Sequence, residues 1–175
     1  MARKHELSHL SVDGRVRMVN VGRKLPTARM ARAAAIVKLG PEIAAALEQT
    51  GALVKGNVIE TARIAGIMAA KRTASLIPMC HTLPLDCVSV DTSWRGNSLR
   101  IEATARCVAR TGVEMEALVA AAVAALTVYD MCKSADKGIV ISDIRLMEKS
   151  GGKSGHWKSV NRKRTAGGEH RHGQD

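Results

Sequence analysis

The chain has 175 residues and carries 27 Lys and Arg against 16 Asp and Glu, a formal net charge of +11. This length suits one globular domain and is short for two. Because only 2% of the residues are aromatic and none is Phe, the core must be aliphatic and few rings are available to stack on nucleic-acid bases. The basic charge indicates an anionic partner, which composition leaves open among a nucleic acid, a membrane surface and a phosphorylated small molecule.

The first fifty residues predict two strands and a helix. Residues 1–13 are polar, and we predict a loose N-terminal segment. Residues 15–21, RVRMVNV, alternate as a short strand does. Residues 31–40, ARAAAIVKLG, suit a helix or a strand by periodicity, and their Ile-Val pair with the Gly-Pro stop favours a strand. Residues 41–50 predict a short helix, with a proline at its first position and a glycine just past its end.

The middle of the chain predicts a helix followed by a hairpin. Asn57 suits an N-cap and Glu60 lies three residues later, as in a capping box, so we expect a helix to about Arg72. The segments 86–94 and 98–108 read as strands, and the Gly and Asn between them suit a tight turn.

A long helix and a last strand complete the pattern. Thr111 and Glu114 have capping-box spacing, and the helix that they open is predicted to end near Lys133. Its apolar run, residues 117–128, is well short of the ~20 residues that cross a bilayer, so we interpret it as a core helix. Residues 139–147 predict the final strand.

This order of elements predicts the fold class. Strand, helix, hairpin, helix and strand form the split β-α-β arrangement of ferredoxin-like domains. We therefore expect an α+β, single-domain protein with an antiparallel sheet packed against helices, spanning residues 14–157. Residues 158–175 are basic and lack apolar periodicity, so they are predicted to be a disordered tail.

A cysteine and a histidine lie side by side at Cys80-His81, on a bend between Pro78 and Pro84. The prolines stiffen this connection, and an imidazole titrates near neutral pH, so the pair is a candidate for chemistry. A buried cysteine is more often a small hydrophobe, and the remaining three thiols are interpreted in that way. These are Cys87, Cys107 and Cys132.

Metal and compartment predictions follow from the same residue types. Neither the cysteines nor the histidines have the paired spacing of a structural zinc site, so we predict no metal site. Without a C-x-x-C pair or a secretory leader pattern, we expect reduced thiols and a cytoplasmic protein.

A glycine-rich segment, EKSGGKSG at residues 148–155, invites comparison with a phosphate-binding loop. A Walker motif requires glycine six positions before Lys153, where Met147 stands, so that motif is absent. The residues leave open whether this is a flexible exit from the last strand or an anion contact made by Lys149 or Lys153.

Titratable residues lie at both ends of the long helix. Glu114 and Glu116 lie near its start, where helix capping and the helix dipole also account for acidic residues. Asp130 and Lys133 lie near its end, and their spacing also suits an ordinary ion pair on the surface. Glu116 and Asp130 are about 21 Å apart at the usual helical rise. If both ends are functional, two chains must share each site.

Four segments together resemble the molybdenum cofactor biosynthesis protein C family, the cyclic pyranopterin monophosphate synthases. They are KGNVIETARIAGIMAAKRT from Lys55, LIPMCHTLPL from Leu76, TGVEMEALVAAAVAALTVYDMCK from Thr111 and KSGGKSG from Lys149. The resemblance spans roughly residues 7–157. It implies a ferredoxin-like fold and a homohexamer made of three dimers, with the sites between subunits.

The resemblance also implies the reaction. The substrate would be (8S)-3',8-cyclo-7,8-dihydroguanosine 5'-triphosphate, and the products cyclic pyranopterin monophosphate and diphosphate. This lyase chemistry needs acids, bases and cations but no redox cofactor, and it leaves open whether Mg²⁺ accompanies the triphosphate. The expected partners are the nucleotide and further copies of the chain, with no nucleic acid and no membrane.

Position by position, the resemblance implies the roles of individual residues. Asp130, Lys133 and Lys55 match catalytic positions. The substrate-binding positions are Met79, Cys80, His81, Met115 and Glu116, with Glu114 beside them. We hypothesise that the two lysines exchange protons with the opening ring while Asp130 orients one of them, and that adjacent ammonium groups lower each other's pKa. Asn57 departs from the family, which often has aspartate there.

Two rival hypotheses belong to other classes. A ferredoxin-like sheet on a basic chain suits an RNA-binding module, but such sheets stack bases on aromatic rings, and the predicted strands offer only Trp94. A scaffold subunit without catalysis would leave the matching Lys55, Asp130 and Lys133 unexplained.

Overall fold

The computed structural model describes residues 14–160 as helices on one face of an antiparallel sheet. The strands of the main sheet are β1 (Thr27–Lys38), β4 (Cys87–Arg95), β5 (Ser98–Ala109), β6 (Val140–Ser150) and β7 (Trp157–Lys158). A separate hairpin consists of β2 (Ala52–Leu53) and β3 (Gly56–Asn57). The helices are α1 (Pro41–Thr50), α2 (Val58–Ala70), α3 (Thr73–Leu76) and α4 (Glu114–Cys132).

The sheet has the strand order β4-β5-β1-β6-β7, and every neighbouring pair is antiparallel. The central strand β1 pairs with β5 on one side and β6 on the other, while α2 and α4 pack together against the sheet. This is the ferredoxin-like α+β arrangement that the element order predicts. The predicted hairpin is confirmed as β4 and β5, joined by a two-residue turn with Gly96 at φ +53°.

The core is aliphatic, as the composition requires. Alternate residues of β1 and β5 turn inward, so one face of each strand is fully buried. The inward residues include Ala31, Ala33, Ala35, Val37, Leu99, Ile101, Ala103 and Ala105. The many alanines permit α4 to lie close to the sheet, because a small side chain adds little thickness between the layers.

The start of α2 follows the sequence prediction. Asn57 Oδ1 accepts a hydrogen bond from Glu60 N–H at 2.9 Å, which makes Asn57 the N-cap. The helix ends at Ala70, slightly before the predicted Arg72, and α3 follows it. The β2-β3 hairpin before α2 was not predicted, because each strand has only two residues and carries no periodicity.

The predicted strand at residues 15–21 is wrong. Apart from an isolated bridge at Val16, this segment is irregular and largely exposed. Val19 is partly buried, and its carbonyl oxygen contacts the His81 ring instead of a neighbouring strand. Because Val16 and Met18 are exposed, the alternation of apolar residues in this segment does not mark a buried face.

The predicted capping box of Thr111 and Glu114 is also wrong. The residue before α4 is Val113, and no side chain caps this helix end. The Glu114 carboxylate instead accepts a hydrogen bond from Lys149 Nζ at 2.8 Å. A charged partner supplied by a distant strand therefore replaces the local capping bond.

Two further boundaries differ modestly from prediction. β6 runs to Ser150, three residues beyond the predicted end, and Lys158 lies in β7, where it pairs with Glu148, although the predicted tail begins at that residue. Residues 1–13 and 161–175, which hold the predicted loose segment and most of the predicted tail, lie outside the described residues.

α4 is long and apolar enough, by length and composition, to cross a membrane. Half of its most apolar stretch is nevertheless buried inside the domain, where it packs against α2 and β1. Ala117, Ala120, Ala121 and Ala124 are fully buried. α4 is therefore a core helix, as predicted.

Candidate functional site

The predicted site residues form separate clusters at the two ends of α4. The N-terminal cluster contains Glu114, Met115 and Glu116, together with the bend of Met79, Cys80 and His81. The C-terminal cluster contains Asp130 and Lys133, with Lys55 nearby. α4 is continuous between them, so Glu116 and Asp130 lie about 21 Å apart along its axis.

The N-terminal cluster lines a cavity of about 390 Å³. The proline-flanked bend supplies one wall and the first turn of α4 another. Val19, Val21 and Lys24, from the irregular N-terminal segment, complete the lining. The cavity therefore unites all the predicted substrate-binding residues.

His81 joins this cavity to the N-terminal segment. Its Nε2 lies 2.9 Å from the carbonyl oxygen of Val19. Because a carbonyl only accepts hydrogen bonds, this geometry assigns the proton to Nε2. In a neutral ring Nδ1 is then unprotonated, and it is the nitrogen that accepts a proton.

Burial favours the protonated forms of Glu116 and Cys80. Glu116 is only 3% exposed, and burial, followed by the nearby negative charge of Glu114, raises the pKa of its carboxyl group. Burial, together with the negative charge of Glu116, raises the pKa of the Cys80 thiol. A thiol held protonated is a poor nucleophile, so this cavity favours binding and proton transfer over covalent attack.

The C-terminal cluster is open to solvent. Lys133 Nζ donates a hydrogen bond to Asp130 Oδ1 at 2.6 Å, and the two side chains are 54% and 69% exposed. This hydrogen bond, more than the charge of Lys55, lowers the pKa of Asp130. At neutral pH, Asp130 is a carboxylate.

The hypothesis that adjacent ammonium groups depress the lysine pKa values is wrong for Lys133. The hydrogen bond from Lys133 to Asp130 raises the pKa of its ammonium group. The attraction of a carboxylate at contact distance exceeds the repulsion of a more distant cation. Lys133 is thus held as an ammonium ion.

Lys55 lies in the turn between β2 and β3. Its positive charge favours the ionised forms of both the Asp130 carboxyl and the Cys132 thiol, which locates it near the end of α4. The three predicted catalytic residues therefore come together in one chain, although 75 residues separate Lys55 from Asp130. The packing of α2 on α4 brings the turn to this end of the helix.

A second, basic cavity of about 730 Å³ adjoins the first, and the two share Lys24, Thr111, Gly112 and Glu114. Its cations come from several separate segments: Arg23, Lys24, Arg29, Arg110, Lys149 and Lys153. Lys149 and Lys153, the two candidates for an anion contact, both line this cavity. The arginines were not predicted as site residues, because the sequence indicated them only through the basic charge of the chain.

The paired glycines of the KSGGKSG segment shape this cavity. Gly151 and Gly152 have φ angles of +97° and +70°, which side chains rarely adopt. A Cβ at Gly151 would collide with the carbonyl oxygen of Ala28, and one at Gly152 with the Arg29 guanidinium. Only glycine lets the loop lie against β1 while Arg29 lines the cavity.

The cysteine interpretations hold for two of three residues. Cys107 and Cys132 are buried in the core, as expected of small hydrophobes. Cys87 is exposed, because it starts the edge strand β4 with its side chain on the outer face. Within residues 14–160, no group of three or more His, Cys, Asp and Glu side chains is arranged to hold a metal ion.

Comparison with known sequences identifies the family. The sequence model of the MoaC family matches residues 18–152. The chain belongs to the MoaC family. This match extends from the irregular N-terminal segment to Gly152 and includes both clusters at the ends of α4.

Curated members of the MoaC family are closely similar to this chain. Proteins from Bordetella avium and Chloroflexus aggregans are each 54% identical to it, and one from Thermomicrobium roseum is 55% identical. Each alignment covers 87% of this chain and 93–95% of the relative. All three are named cyclic pyranopterin monophosphate synthase.

Proposed function

We propose that this protein is a lyase of molybdenum cofactor biosynthesis. It converts (8S)-3',8-cyclo-7,8-dihydroguanosine 5'-triphosphate to cyclic pyranopterin monophosphate and diphosphate. The observation that carries the proposal is near-full-length similarity, at about 54% identity, to proteins named for making this product. Cavities lined with acids, bases and cations support the same chemistry.

The two adjoining cavities suit the two parts of this substrate. The smaller one offers the Glu116 carboxyl and the His81 ring to the guanine-derived ring system, which must gain and lose protons. The basic cavity provides six cationic side chains and the Glu114 carboxylate, so its net charge complements a triphosphate. The shared lining residues support a binding mode in which the phosphate chain lies next to the ring system.

Proton transfers are assigned from the protonation states. Lys133 is held as an ammonium by Asp130, so it acts as a general acid, and His81 Nδ1 acts as a proton acceptor. Formation of the cyclic phosphate requires a substrate hydroxyl to attack the α-phosphorus and lose its proton. The bond from that phosphorus to the bridging oxygen then breaks, and the electron pair leaves on pyrophosphate.

A complete site in this proposal takes its parts from two chains. One chain supplies the cavities at the start of α4, and its partner supplies Lys55, Asp130 and Lys133 from the other end. The 21 Å between the ends supports this division, because one small substrate does not reach both. The resemblance further supports a homohexamer, built as three dimers, as the assembly.

The remaining expectations are part of the same proposal. We infer that no redox cofactor takes part, because ring rearrangement and phosphate cyclisation balance without electron transfer. Any Mg²⁺ would arrive with the triphosphate. Free thiols at all four cysteines support a reducing, cytoplasmic location.

The direct test supplies the purified protein with the cyclised nucleotide and follows pyrophosphate release together with formation of the pterin product. We expect both products in equal amounts. The same nucleoside without its triphosphate is the matched control, and it should release no pyrophosphate. Absence of both products with the full substrate would contradict the proposal.

The nucleic-acid-binding alternative is examined with the same preparation. Trp94 packs against the core, and Trp157 lies on the short edge strand β7, so neither forms a central stacking surface on the sheet. We therefore expect RNA retention to be weak and lost at moderate salt. Tight RNA retention without turnover would favour the binding module.

A further inference from the structure

Asp136 occupies a distinctive position in the loop that follows α4. It is half-buried, whereas residues 133–135 and 137–138 are exposed. Its Oδ2 accepts a hydrogen bond from Gly40 N–H at 3.0 Å, and its Oδ1 accepts one from Gly138 N–H at 2.6 Å. The carboxylate thus joins its own loop to a segment 96 residues away.

The bond to Gly40 links the loop after Lys133 to the segment that leads, through α1, to Lys55. Lys133, which caps the C-terminal end of α4, lies three residues before Asp136. Gly40 immediately precedes α1, and Gly51 at the far end of α1 leads into the β2-β3 hairpin that holds Lys55. The backbone of Gly51 is itself bonded to α2 through the Ile59 N–H.

The surroundings of Gly40 fit the Asp136 carboxylate. A Cβ at Gly40 would lie 3.1 Å from Asp136 Oδ2, closer than ordinary contact, so glycine leaves room for this oxygen. Gly40 is the N-cap of α1 and has no side chain to cap the helix. The negative charge of Asp136 is also favourable there, because a helix N-terminus carries partial positive charge.

We propose that Asp136 is a positioning residue that fixes Lys133 relative to Lys55. It acts by tying the loop after α4 to the start of α1, without contact to substrate. The proposal rests on the proposed function for its catalytic meaning. Its structural content, the relative placement of the two lysines, is measurable without turnover.

The kinetic test uses Asp136→Ala and Asp136→Asn. We expect Asp136→Ala to lower kcat by about 10- to 100-fold, because small misplacements of reacting groups have effects of this size. KM should stay within about twofold, since the substrate cavities lie at the other end of α4. Asp136→Asn should fall between this variant and wild type, because an amide has one acceptor oxygen for two N–H donors.

Asp143→Asn is the matched control. Asp143 is exposed and lies in β6, and its left-handed φ of +52° is one that asparagine tolerates. Asp143→Asn removes one negative charge, as Asp136→Asn does, but it leaves the junction between β1 and α1 unchanged. We therefore expect wild-type kinetics. Wild-type kcat in Asp136→Ala would overturn the proposal.

A second perturbation reaches the same contact from the other side. Gly40→Ala should reduce kcat in the same way, because the added methyl group displaces the carboxylate. The double variant should lose no more than the larger single effect, since both changes break one contact. Fully additive losses would contradict a shared contact.

Lysine labelling separates this proposal from the proposed function. With an amine reagent and mapping by mass spectrometry, we expect Lys133 labelling relative to Lys55 to rise at least about threefold in Asp136→Ala, corresponding to half a pKa unit. Asp143→Asn should leave the ratio unchanged. An unchanged ratio in Asp136→Ala overturns the positioning role, whereas an inactive wild type with the expected ratio counts against the proposed function alone.

Discussion

The two ends of α4 place acidic residues in opposite environments. At the N-terminal end, Glu116 is 3% exposed and lines a cavity. At the C-terminal end, Asp130 and Lys133 are 69% and 54% exposed and contact each other in open solvent. Burial raises the pKa of Glu116, whereas a charged partner lowers that of Asp130.

This difference shows how far a single chain shields the groups at each end from solvent. Charges in water interact weakly because the solvent screens them, and catalysis by positioned charges depends on excluding that water. At the N-terminal end, the fold of one chain already buries the Glu116 carboxyl group. The C-terminal end has its groups in place but lacks a cover, which a partner chain would provide in the shared site proposed above.

The largest expected effect comes from the exposed end. Asp130→Asn should reduce turnover by about 10²- to 10⁴-fold, because Lys133 loses the carboxylate that holds its proton. The melting temperature should barely change, since an exposed ion pair contributes little to stability. Steady-state kinetics and thermal unfolding measure the two quantities. Undiminished turnover would remove the catalytic role from this end of the helix.

Mixing variants tests whether the ends cooperate between chains. Lys133→Ala and Glu116→Gln should each be poorly active. When the two variants are refolded together in equal amounts, about a quarter of the shared sites combine an intact Glu116 end with an intact Lys133 end, so about a quarter of wild-type activity should return. Equal amounts of Lys133→Ala and a Lys133→Ala/Glu116→Gln double variant are the control. If mixing restores nothing, each site belongs to one chain.

The basic cavity should influence binding more than chemistry. Lys149→Ala removes a cation and leaves the Glu114 carboxylate unpaired, so we expect KM to rise about tenfold with kcat within about threefold of wild type. Lys38→Ala, at an exposed position on β1, is a matched control and should leave KM unchanged. A fall in kcat at constant KM would move Lys149 from binding to chemistry.

At the buried end of α4, Glu116 should make the stability of the protein depend on pH. The folded-state pKa of Glu116 is raised, so its stabilising contribution is complete below the unfolded pKa and is lost as pH rises through the folded pKa. Glu116→Gln should match wild type near pH 4 and melt higher at pH 8. Each pKa unit corresponds to about 1.4 kcal/mol, or roughly 3–6 °C.

Glu48→Gln is the control for this pH dependence. Glu48 is exposed on α1, so its substitution should give no melting difference that grows with pH. A pH-independent effect of Glu116→Gln would show that burial does not raise the pKa of Glu116.

The smallest effect concerns the helix start beside Lys55. Asn57→Ala removes the cap of α2 and should cost about 1 kcal/mol, whereas Asn57→Asp should stay within a few tenths of wild type, since both residues cap helices. Chemical denaturation measures both. A large loss in Asn57→Asp would show that aspartate does not cap α2 in this chain.

Features that depend on neighbouring residues are predictable from the order of amino acids. The Asn57 cap, the tight β4-β5 turn and the apolar length of α4 are encoded within a few residues, and each was predicted. The separation of Glu116 from Asp130 also follows from sequence, because helical rise is fixed. The residues themselves suggested candidates such as Cys80, His81 and Asp130, and the motif resemblance added Lys55 and the role of each position.

Tertiary structure decided everything that joins distant segments. The basic cavity is lined by cations from separate parts of the chain, among them Arg23, Arg29, Arg110 and Lys149. Glu114 bonds to Lys149 instead of making the predicted capping bond. The bond between Asp136 and Gly40 likewise has no local signal. Local periodicity records which side of an element is apolar, but contacts between elements form only when packing brings their backbones together.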